Sequence, residues 1–80
     1  MTAEQRKAIL EGRITAWAAD AYAHELNREV IVKADGADAN TSEQDSALDT
    51  LMGAIESAQE KLAEVEIELG AQGKLGELDS

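Results

Sequence analysis

The sequence predicts an all-α fold, an antiparallel hairpin of two long helices, and three observations carry that expectation. Apolar residues recur at alternating steps of three and four through Leu48, Leu51, Ile55, Ala58, Leu62, Val65 and Leu69, a heptad seam that buries itself only against another helix. Proline is absent, and long stretches are rich in Ala, Glu, Leu, Lys and Gln, all good helix formers. Between the two helical stretches lies a short run of Gly, Asn and Asp whose length suits a helical hairpin.

The first helix is expected over about residues 2–34. Thr2 and Gln5 have the spacing of a capping box. Leu10, Ile14, Trp17 and Ala21 form the inward stripe, which then forks. One branch continues through His24, Arg28 and Ile31, and the other steps by four through Tyr22, Leu26 and Val30. Two apolar faces on one helix imply two neighbours, so the second branch is a candidate second interface. At Val30-Ile31-Val32 three β-branched residues make a strand compete, but helix is the expectation, with Gly36 as the terminating left-handed residue and Lys33 near the negative end of the dipole.

The loop is expected over residues 35–41. Thr41 with Gln44, or Ser42 with Asp45, is placed to cap the second helix. That helix is expected over about 42–70, with Gly70 as its stop, and residues 71–80 as a flexible tail. A reversal centred near residue 38 sets Trp17 near Ala58 and Gln59, Ile14 near Leu62, and Ala21 near Ile55. The large ring beside a small alanine is a match of volumes.

Eighty residues make one domain whose core supplies only a few kcal/mol. Fifteen alanines, one Trp, one Tyr and no Phe leave few bulky side chains to bury. The seam formed by Leu10, Ile14, Trp17, Ala21 and the seven residues of the second helix is therefore expected to complete its core by self-association, most simply as a dimeric four-helix bundle.

The formal net charge is −10, and all of it lies after residue 33, where two basic residues meet twelve acidic ones. So acidic a chain repels phosphate backbones, which excludes direct nucleic-acid binding from the expectation. Glu56, Glu60, Glu64 and Glu68 stack at four-residue intervals on the second helix. The simpler reading is a solvated face; the sharper one is a surface for a partner protein with a basic groove.

No motif for chemistry accompanies these patterns. His24 is the single histidine, and Arg28 stands where a zinc-protease helix places its second one. Gly70-Ala71-Gln72-Gly73-Lys74 lacks the first glycine and the Ser or Thr of a phosphate-binding loop, and Glu43 occupies the glycine position of a calcium loop beginning at Asp38. No catalytic residue, cofactor or metal ligand is assigned, and the chain is not expected to be an enzyme. With no cysteine, no secretory leader pattern and no apolar run of membrane-spanning length, a soluble cytoplasmic protein without membrane contact is the expectation.

The plan resembles that of many small dimeric hairpin proteins, plasmid and phage accessory proteins among them. It also invites comparison with secreted hairpins carrying a Trp-x-Gly turn, but Trp17 is followed by two alanines and lies in mid-helix, so that comparison fails. The expected function is a non-catalytic interaction or assembly component, with a structural or accessory role in a phage or mobile element, and hence virion association, as its narrower form. The alternative is an acidic inhibitor or nucleic-acid mimic.

Overall fold

The computed structural model describes residues 1–78, with side chains through residue 71; Asp79 and Ser80 of the expected tail lie outside the described residues. Two helices, α1 (Ala3–Asp35) and α2 (Ser42–Leu78), pack against each other as a hairpin, and the described residues contain no strand. Val30-Ile31-Val32 are helical, because the turns on either side carry them and α2 covers part of their face.

The start of α1 is closed by the expected capping box. The Gln5 amide donates to Thr2 Oγ1 at 3.1 Å and the Thr2 amide to Gln5 Oε1 at 2.8 Å, satisfying two donors that no helical carbonyl can reach. At the other end Gly36 adopts φ 92°, which a side chain disfavours, and its amide donates to the Val32 carbonyl at 2.8 Å. Lys33 lies in that last turn.

Neither capping pair expected for α2 forms. Asn40 accepts from both the Ser42 amide (3.1 Å) and the Ser42 hydroxyl (2.6 Å), while the Thr41 hydroxyl donates to Asp45 Oδ2 at 2.7 Å. Asp45 also accepts from Arg28 Nε at 2.8 Å, across the hairpin. The hydrogen bond from Thr41, followed by that from Arg28 and the Arg28 charge, holds the Asp45 carboxyl below its ordinary 3.8, against an opposing effect of lost hydration.

Two ion pairs report the register. Arg6 Nη2 bonds both carboxylate oxygens of Glu68, at 3.0 and 2.9 Å, near the open end, and Arg28 meets Asp45 near the loop. A reversal centred on residue 38 would have set Arg6 opposite Gly70 and Arg28 opposite Leu48. The chain instead turns nearer Gly36, where the Ala39 amide donates back to the Gly36 carbonyl at 3.1 Å. His24, bonded to Gln44 across the hairpin, likewise places the reversal before residue 38.

α2 does not stop at Gly70. The helix runs on through Leu78, so residues 71–78 of the expected tail are helical. Gly70 costs a helix only about 1 kcal/mol, and it takes no positive φ; the helix-favouring residues around it, with no proline, carry the helix through. The Arg6–Glu68 pair sets the first turns of α1 beside this region, so α2 extends beyond the start of α1.

The result is a thin rod measuring 65 × 18 × 14 Å. Its radius of gyration is 18.8 Å, where a compact domain of this length would have about 12 Å. Ala3, Ala21, Ile55, Ala58 and Val65 form the core, and no large side chain among the described residues is fully buried.

Candidate functional site

Three faces of the rod bear on function. The first is the seam itself. Ala21, Ile55, Ala58 and Val65 are buried, while Leu10, Ile14, Trp17, Leu48, Leu51, Leu62 and Leu69 are half-buried. The eleven residues serve first to hold α1 on α2 within one chain. Two helices cover a seam from one side only, which leaves its edges open to solvent. Near the open end one edge widens into a groove of about 440 Å³ between Ile9, Leu10 and Val65, rimmed by Arg13, Lys61 and Glu64.

The second face is the back of α1. At 100° per residue, Ala8, Gly12, Ala19, Ala23, Leu26 and Val30 fall, with the capping residue Gln5 at the edge, within a sector of about 60° pointing away from α2. All six are exposed. Tyr22 lies on the flank of this face, and Tyr22, Leu26 and Val30 are 63%, 42% and 64% exposed. No charged residue of α1 falls in the sector. Thr15, also on the flank, donates its hydroxyl to the Glu11 carbonyl of its own helix at 2.9 Å, so its hydrogen-bonding need is met without water.

Bulky residues identify only the second half of this face in the sequence, as the branch Tyr22, Leu26, Val30. Ala8, Gly12, Ala19 and Ala23 carry little hydrophobic weight and pass unnoticed. The signal that finds them is the absence of charge at consistent helical spacing.

The third face is the back of α2. Glu56, Glu60 and Glu64 are exposed, whereas Glu68 is partly covered and bound by Arg6. Stepping by four rotates the ridge about 40° per residue pair around the helix, so its last member reaches the α1 side. The free part of the acidic face is therefore Glu56, Glu60 and Glu64, with Asp49 one turn or more before them. Met52 and Ile67 are isolated exposed apolar residues there.

His24 is half-buried at the seam's edge, with Nδ1 2.7 Å from Gln44 Oε1. Because that oxygen only accepts, the ring donates from Nδ1. Among the described residues no three His, Cys, Asp or Glu side chains converge in a way that could hold a metal ion. No described helix is long and apolar enough to cross a membrane. Compared with protein-family models, curated proteins and solved structures, the chain matches none.

Proposed function

We propose that this chain is a non-catalytic interaction or assembly component whose first partner is a second copy of itself. The observation that carries the reading is the exposed, charge-free back of α1, which occurs on a hairpin that fully buries no large side chain among the described residues. A face of this kind on an isolated rod is hydrophobic surface left in water. The chain exposes 5995 Å², against about 4,700 Å² for a compact monomer of its mass. That surplus exceeds the roughly 800 Å² each partner contributes to a standard interface.

Sedimentation equilibrium tests the reading. An oligomer at micromolar concentration supports it, and a monomer at every concentration contradicts it. The narrower role, in a phage particle or mobile element, rests on size and plan alone.

The exposed Glu56, Glu60 and Glu64 support a second reading, an acidic inhibitor or mimic that occupies a basic groove on another protein. With Glu68 already bound to Arg6, the ridge offers that partner three carboxylates rather than four. The simpler account of the three is a solvated face, which also keeps the rod soluble.

A further inference from the structure

We propose that two copies of the chain pair through α1, antiparallel, about a two-fold axis beside Ala19. The inference rests on the reading of self-association above and adds its geometry. Along the charge-free face the residues are small at the N-terminal half (Ala8, Gly12) and bulky at the C-terminal half (Leu26, Val30). Antiparallel pairing centred on Ala19 brings Leu26 of one copy level with Gly12 of the other, Val30 level with Ala8, and Ala19 onto Ala19. A Cβ added at Gly12 would meet nothing within 4 Å, so the surface there is open to receive a side chain. Parallel pairing would stack Leu26 on Leu26 and Gly12 on Gly12, wedging the helices apart at one end and leaving a gap at the other.

Charge selects the same orientation independently. Glu4 and Lys33 are exposed on one flank of this face, near its two ends. The antiparallel pair sets Glu4 of each copy level with Lys33 of the other on the same side of the contact, whereas a parallel pair leaves the two charges at opposite ends of it. Asp20, at the other flank, approaches its own copy and is the pairing's like-charge contact near the axis. The assembly is a flat array of four helices in the order α2, α1, α1, α2. Its outer edges are the acidic backs of α2, which repel further copies.

The chain has no cysteine, so single cysteines read the geometry directly. Disulfides need Cα atoms roughly 4.4–6.8 Å apart, which the axis position meets when small residues let two helices approach closely. Ala19→Cys should cross-link to itself on the order of tenfold or more faster than Ser57→Cys on exposed α2, because pairing raises the local thiol concentration. Gly12→Cys should not cross-link to itself, but a mixture of Gly12→Cys and Leu26→Cys should. Ala19→Glu should raise the dimer dissociation constant on the order of a hundredfold, with helicity unchanged, and Asp20→Asn should lower it by about two- to threefold.

Self-cross-linking of Gly12→Cys would overturn the proposal in favour of a parallel pair. An oligomer that ignores Ala19→Glu and shows no preferential cross-linking on α1 would overturn it too, placing association on the open seam edges while preserving self-association. A monomer at all concentrations would overturn both readings and leave the face to a partner of another kind.

Discussion

The backs of α1 and α2 are equally free of the hairpin's core, yet they are built from opposite chemistry. Across α1 the outward sector from Ala8 to Val30 carries no charge; across α2 the corresponding surface carries Glu56, Glu60 and Glu64. A helix that needed only to be soluble would carry charges on its outer side, as α2 does. The contrast teaches that exposure in one copy does not say what a surface is for. The residues that water would favour are present on one face and missing from the other.

Within α2, Ile55 and Ile67 set the scale for these comparisons. Ile55 is 8% exposed in the seam and Ile67 is 74% exposed on the back. Ile55→Ala should cost about 2–5 kcal/mol in denaturant unfolding, and Ile67→Ala less than about 0.5 kcal/mol. Equal losses would mean that the back of α2 is also covered.

Val30 and Met52, 64% and 56% exposed, allow the same charge to be added to either outer face. Val30→Lys should raise the dimer dissociation constant about tenfold, or 1.4 kcal/mol, while Met52→Lys should leave it unchanged. Equal weakening in sedimentation would break the distinction between the two backs.

Reversal of Glu56, Glu60 and Glu64 to lysine has a smaller expected effect. It exchanges Glu–Glu for Lys–Lys stacking within the ridge, turns only the spacing from 64 to Glu68 into an opposite-charge one worth a few tenths of a kcal/mol, and reduces the net charge from −10 to −4. A slightly higher melting temperature with unchanged self-association is the expected result. Loss of a salt-sensitive partner in a pull-down, with the fold intact, would instead promote the acidic mimic.

The smallest effect concerns the loop. Asp45 is held below its ordinary value, so its stabilising contribution is present above that value and is lost as pH falls through the lowered one. Thr41→Val removes the leading cause and should move the Asp45 titration, followed by NMR, upward towards 3.8. An unchanged titration would assign the lowering to Arg28.

Much of the fold was legible because local signals agreed with one another. Thr2 and Gln5 marked the start of α1, Gly36 its end, and the spacing from Leu48 to Leu69 the inner face of α2. Gly70 misled, because it takes no positive φ, and the helix continues past it and past Gly73 and Gly76 with no proline to stop it. The register missed because residues 36–41 do not share the reversal evenly, and Asn40, rather than Thr41 or Ser42, supplies the cap for α2. Of the candidate surfaces, the seam and the acidic ridge were visible as spaced bulk and spaced charge. The small half of the α1 face was not, since alanine and glycine register only through what is missing beside them.

If a second copy covers the apolar surface that one hairpin leaves in water, stability must rise with protein concentration. Thermal unfolding over a hundredfold range of protein concentration, with mass measured by light scattering on the same samples, tests it most directly. A dimer should gain about 3–6 °C in melting temperature for each tenfold rise in concentration. A monomeric mass throughout, with one melting temperature at every concentration, would contradict it.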